Sequence, residues 1–169
     1  VGINAIPTYV KKITPDGAVN NLPGLSYFFS IDGLAVDTGN NLIIHSQRTQ
    51  NQFTLTRFNL STNQSVEQES DNTPYFDFGP EDMKVDSKGN IYMYRNVGNN
   101  LVKIKPNGHM SGIGKSGISF SYNFIPGNGV DATIPTITSI AIDTTNDNVY
   151  VMANGNILRV DTAENVTAL

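Results

Sequence analysis

Cysteine is absent from this 169-residue chain, which excludes a disulfide framework, a thiolate metal site and a cysteine nucleophile. Histidine is nearly absent. Only His45 and His109 occur, one in a β-rich run and one in a turn, so they hold no equivalent positions. No H-E-x-x-H, G-x-S-x-G or P-loop pattern is found, and catalytic signals are correspondingly thin. Basic residues are outnumbered, 11 against 15 acidic, for a net charge of −4. That balance disfavours a nonspecific nucleic-acid surface, and no nucleic-acid partner is expected. No apolar run approaches membrane-spanning length, so no membrane insertion is expected either. Charged residues make up only 15%, yet alternating apolar runs argue against disorder.

What is present is turn chemistry. Fifteen Gly, eight Pro and heavy Asn/Thr usage suit an all-β chain. The stretch from Gly79 to Gly108 reads as three short strands: Glu81–Asp86, Ile91–Tyr94 and Leu101–Lys105, separated by Gly/Asn-rich turns. Imperfect copies surround it. Gly33–Asp37 precedes a turn and the run Leu42–His45; Ser139–Asp143 precedes a turn and Val149–Met152. The closing Asp37, Asp86 and Asp143 lie 49 and 57 residues apart. A four-strand period near ~50 residues is the signature of propeller blades. Leu34 and Val36, Met83 and Val85, and Ile140 and Ile142 share a parity that should pack each inner strand on a neighbouring blade. The closing Asp residues should accept hydrogen bonds from the turns after them. Gly39, Gly89 and either Asn146 or Asn148 should supply the positive φ there.

The expected architecture is therefore all-β: a β-propeller of four-stranded antiparallel blades forming one domain over residues 1–169. Three complete blades span about 31–69, 81–112 and 137–169, and a half blade spans 9–22, with the longer interval falling in a connector at Gly112–Pro135. No helix is expected. Three blades and a half do not close a ring, so missing propeller sequence or a second chain is expected to complete it. The chain opens on Val1 without a signal-like segment, which reads as a mature or trimmed product.

The units resemble NHL repeats, whose pattern is close to P-x-G-I-A-V-D-x-x-G-N-I-Y-V-A-D-x-G-N-N-R-I. Pro80–Ile104, Gly33–Asn40 and Ile140–Val151 follow it, and Tyr9–Gly17 is similar to the third strand and turn of bacterial members. Ser46, Arg95 and Ala153 stand near the place of the Asp that the pattern carries after its second strand. The resemblance covers nearly the whole chain. It implies a bacterial repeat protein of the surface or secreted type, in agreement with the Asn/Thr-rich, lysine-poor composition; the absence of cysteine fits an extracellular and a cytosolic protein alike. An extracellular, cell-surface or periplasmic location is expected.

Two sets of residues are candidates for ligand contact. Asp32, Glu81, Asp82, Thr138 and Ser139 open the innermost strands at a shared offset from the closing Asp residues, and should converge at one channel mouth. The second set lies in the connectors and the loops that share their face: Tyr27, Phe29, Tyr75, Phe78, Tyr122 and Phe124, with Arg48 and Arg95. Most of the chain's aromatics fall there. They either plug the wedges between blades or present a recognition face. The resulting reading is a non-enzymatic binding or scaffold propeller with a protein or glycan ligand and no cofactor. The alternative is a hydrolase or lyase similar to gluconolactonase, which would need Ca²⁺ or another divalent cation; Asp32 and Glu81 are the residues that would hold it.

Overall fold

The computed structural model describes residues 8–25, 28, 30–49, 52–69, 80–94, 101–115 and 123–169. Among them no α-helix occurs, and the strands are antiparallel throughout. The all-β expectation holds. The chain divides into two compact units, one formed by Val1–Leu34 and Asn40–Gly79, the other by Ala35–Gly39 and Pro80–Leu169.

In the first unit β1 (Lys11–Ile13) pairs with β2 (Val19–Asn21) around the Pro15-Asp16-Gly17 turn. A four-stranded sheet follows in chain order: β3 (Ser30–Val36, of which Ala35 and Val36 fall in the second unit), β4 (Asn41–Thr49), β5 (Gln52–Asn59) and β6 (Gln64–Glu69). Leu42 and Ile44 alternate on β4, and Leu42 stands opposite Phe58 on β5. These three and Phe28 form a buried cluster, with Val10, Leu22 and Leu25 packed against it. Phe28, an aromatic of the first connector, is therefore core. Leu34 and Val36 are not. They are 48% and 58% exposed, against the expectation of a buried inner strand. Val10 and Leu22, which flank β1 and β2, pack with Leu25 on the cluster of Leu42 and Phe58, and Leu34 is not part of that cluster.

The second unit holds two larger sheets. One is β7 (Asp82–Val85), β8 (Ile91–Tyr94), β9 (Leu101–Ile104) and β10 (Met110–Ile113), in that order. Every residue of β8 and β9 is buried, so this sheet is covered on both faces. The other runs β12 (Ile137–Asp143), β13 (Asn148–Ala153), β14 (Asn156–Val160) and β15 (Asn165–Ala168). Tyr92, Tyr94, Leu101 and Ile113 of the first sheet share a core with Ile140, Val149, Val151, Leu158 and Val166 of the second.

The closing aspartates do structural work. The Asp86 carboxylate accepts from the N–H of Lys88 at 3.0 Å and of Asn90 at 2.8 Å, and from Asn90 Nδ2 at 2.7 Å. Asp143 accepts from the Thr145 N–H at 2.9 Å and from Asn146 Nδ2 at 2.7 Å. These bonds, that from the Thr145 hydroxyl foremost, hold the Asp143 carboxyl below the usual range. The positive φ falls one residue away from expectation in two turns of three. Gly89 has it (80°), but Asn40 (60°) and Asp147 (57°) take it instead of Gly39 and Asn146 or Asn148. Asn and Asp tolerate the left-handed region through local hydrogen bonding. Asp147 also reaches the neighbouring sheet's turn, accepting from the Ser87 N–H and Oγ at 2.9 Å each.

The long interval after Ile113 is not a featureless insertion. β11 (Gly127–Asn128) adds to the outer edge of β15, opposite Val166 and Asn165, and is followed by the 3₁₀ turn η1 (Gly129–Asp131). The Gly114 N–H donates to Gly129 O at 3.0 Å and the Lys115 N–H to Ala132 O at 2.8 Å, tying β10 to this segment. Covering β15 removes an open sheet edge. Gly127 makes it sterically feasible: a Cβ there would stand 2.7 Å from Ala132 N and 2.8 Å from the Asp131 carbonyl carbon. Gly127→Ala is expected to cost about 1–3 kcal/mol by forcing this backbone apart. Urea titration checks the size, and faster amide exchange at Val166 checks the place.

Candidate functional site

The ends of β7 and β12 meet in the second unit, where the two strands lie side by side. Asp82 stands opposite Tyr94 in the sheet, and the Glu81 N–H donates to Tyr94 O at 3.0 Å. The Tyr94 hydroxyl then crosses to β12 and donates to Thr138 O at 2.7 Å. Thr138 is available because β12 bulges there: Ile137 pairs with Ala153 and Ser139 with Met152, leaving Thr138 unpaired. Its own hydroxyl donates to Met152 O at 3.3 Å. Tyr94 thus links Glu81 and Asp82, at the start of β7, to Thr138 on β12, and Ser139 follows Thr138 in the chain. Glu81, Thr138 and Ser139 are exposed and Asp82 is half-buried.

The electrostatics are those of a polar rim. Asp82 is engaged on one oxygen, accepting from the Met83 N–H at 2.8 Å and pairing with Lys84 Nζ at 2.6 Å. Burial first, and then the carboxylates of Asp82 and Glu81, push the Tyr94 phenol up, so it stays a donor. Among the described residues no three His, Asp or Glu side chains cluster in a way that could hold a metal. Tyr94 and Lys84 were not singled out in the sequence. The two-residue spacing of Asp82 and Lys84 along one strand face was the available signal for the pair.

Asp32 belongs to the first unit, on β3. Its Oδ2 lies 3.4 Å from Ser30 Oγ and 3.8 Å from His45 Nδ1, and Ser30 Oγ is also 3.4 Å from Gln47 Oε1. The Asp32 carboxylate thus lies between the Ser30 hydroxyl and the His45 ring. Burial depresses the His45 pKa to about 4, which keeps it neutral at physiological pH. Of the connector set, Tyr27, Phe29, Tyr75, Phe78, Tyr122 and Arg95 lie outside the described residues. Arg48 is on β4, its side chain likewise outside them. Phe124 is half-buried and packed against the second unit's core.

No protein-family model and no curated protein sequence matches the chain. Solved structures do. An auxiliary nutrient binding protein from Bacteroides thetaiotaomicron matches with a TM-score of 0.65 at 12% identity, over 94% of this chain and 40% of its own. A gluconolactonase from Xanthomonas campestris matches at 0.57 and 13%, over 100% and 47%. Virginiamycin B lyase from Staphylococcus aureus matches at 0.56 and 13%, over 95% and 48%. The fold is that of a β-propeller. Its four-stranded sheets are blades, and the chain spans less than half the length of each of these three proteins. At such identities the likeness speaks for the fold alone.

Proposed function

We propose that this chain is part of a non-enzymatic, NHL-like binding propeller that recognises a protein or glycan at or outside the cell surface. The observation that carries the reading is the rim around Tyr94. It offers exposed hydroxyls at Thr138 and Ser139 beside the Glu81 carboxylate, while Asp82 is already paired with Lys84. Such a surface exchanges hydrogen bonds with a polar ligand and carries no activated nucleophile. Similar structures include nutrient-binding proteins and the extracellular domain of a hybrid two-component system from Bacteroides thetaiotaomicron, which supports the binding role and the location. The connector aromatics, with Arg48 and Arg95, would add stacking surface for a sugar ring or peptide.

Calorimetry against a panel of oligosaccharides and peptides tests this. A ligand that binds the parent protein should bind Glu81→Gln and Thr138→Ala about tenfold more weakly, equivalent to about 1.4 kcal/mol, with unfolding midpoints unchanged. Turnover of a lactone that requires an added divalent cation and disappears in Asp32→Asn or Glu81→Gln would overturn the reading in favour of a gluconolactonase-like enzyme.

A further inference from the structure

Three Asn-Gly dipeptides occur in the chain: Asn107-Gly108, Asn128-Gly129 and Asn154-Gly155. Such a pair carries its own reactivity. The glycine backbone nitrogen can attack the asparagine side-chain carbonyl carbon, because no Cβ obstructs the approach. All three glycines sit in turns with positive φ, 86°, 53° and 77° in chain order. Residue type and glycine conformation therefore do not separate the three. The hydrogen bonds made by the attacking N–H and by the amide under attack do.

In two of the pairs both groups are held. The Gly108 N–H donates to Lys105 O at 2.8 Å, and Asn107 Oδ1 accepts from the His109 N–H at 3.1 Å. The Gly129 N–H donates to Glu164 O at 3.0 Å, while Asn128 Nδ2 donates to Ala163 O at 2.6 Å and to Asn165 Oδ1 at 3.1 Å. A nitrogen that must lose its proton and turn toward the side chain has first to give up such a bond. Asn154-Gly155 differs. It is the two-residue loop of the β13–β14 hairpin, closed by the pair Ala153 and Asn156, with φ of 47° and 77°. Among the described residues the Gly155 N–H has no hydrogen-bond partner, and a Cβ on Gly155 would meet nothing within 4 Å. The Asn154 N–H donates to Thr136 O at 3.2 Å and its carbonyl accepts from Asn156 Nδ2 at 3.3 Å, neither bond involving the reacting nitrogen. Asn154 and Gly155 are exposed, so water reaches both.

We infer that Asn154 is a deamidation site of the folded protein, the first of the three Asn-Gly pairs to react. Gly155 N gives its proton to hydroxide and bonds to Asn154 Cγ; the Cγ–Nδ2 bond breaks and that nitrogen leaves as ammonia. One water then opens the succinimide at either carbonyl, giving aspartate or isoaspartate at position 154. The balance is one water taken up and one ammonia released, with no redox partner. Both products carry a new negative charge. Aspartate tolerates the left-handed φ that Asn154 holds, so the hairpin keeps its register. Isoaspartate adds a backbone carbon to a two-residue loop and loosens the Ala153–Asn156 closure. The loop stands at the end of the blade where β12 begins, since its Thr136 contact lies two residues before Thr138. The modification therefore places a carboxylate at the end that carries Thr138 and Ser139. The site itself is independent of the binding reading.

The test is to incubate the folded protein and a guanidinium-unfolded sample side by side at mildly alkaline pH. Peptide fragmentation then locates each mass gain of one unit over time. In the unfolded chain the three pairs should react at similar rates, set by the dipeptide alone. In the folded protein Asn154 should react about fivefold or more faster than Asn107 and Asn128, the factor that one backbone hydrogen bond supplies. Both aspartate and isoaspartate should appear at position 154, and amide exchange at Asn156 should quicken only in the isoaspartate fraction. Asn154→Asp should reproduce the added charge with the urea midpoint unchanged. Folded protein in which Asn107 or Asn128 leads, or in which all three react equally, would overturn the inference. So would a folded sample in which Asn154 stays intact while the unfolded control reacts.

Discussion

Phe58→Ala is expected to destabilise the first unit by about 3–5 kcal/mol, the range for removing a fully enclosed aromatic ring. Phe58 is fully buried in the cluster that it forms with Phe28, Leu42 and Ile44. Its loss opens a cavity walled by a sheet on one side and by the irregular chain around Val10, Leu22 and Leu25 on the other. Among the described residues the reciprocal pair between Thr8 and Phe28, at 3.1 and 3.2 Å, ties this wall down. The cost should therefore be accompanied by faster amide exchange at Thr8 and Phe28. Phe58→Leu should recover more than half of it. Urea titration of both variants decides the matter: a loss below about 1 kcal/mol for the alanine variant would show that the ring is not holding this wall.

Acid should weaken the protein through His45 well before the carboxylates titrate. The imidazole is fully buried in the fold, and burial lowers its pKa from 6.5 to about 4. The unfolded chain binds that proton more readily than the folded one. Stability is thus at its full value above pH 6.5, declines as pH falls toward 4, and levels off for this group below that. The maximum loss is about 3 kcal/mol, from about 1.4 kcal/mol per pKa unit. The Asp32 carboxylate, 3.8 Å from Nδ1, opposes the decline while it remains ionised. His45→Gln should flatten the stability profile between pH 6.5 and 4.5. A histidine resonance for His45 that titrates with a midpoint above 6 would sink this prediction.

The repeated Asp–turn–strand unit was legible in the sequence because its causes are local. A period-two apolar pattern and turn residues at constant offsets specify a strand and its reversal within a dozen residues. Hence β7–β10 and β12–β15 and the roles of Asp86 and Asp143 followed from residue order. The tertiary structure decided what depends on distant partners. Gly127 and Asn128 carry no strand signal, and they became β11 only because the exposed edge of β15 offers hydrogen bonds and Gly127 leaves room for Ala132. Tyr94 joined the rim because the bulge at Thr138 frees a carbonyl, and a bulge is a mismatch between two strands that neither encodes alone. Leu34 and Ile140 hold equivalent places, yet one is exposed and the other buried. Alternation says that a side chain lies on a face; only the presence of a neighbouring sheet removes that face from water.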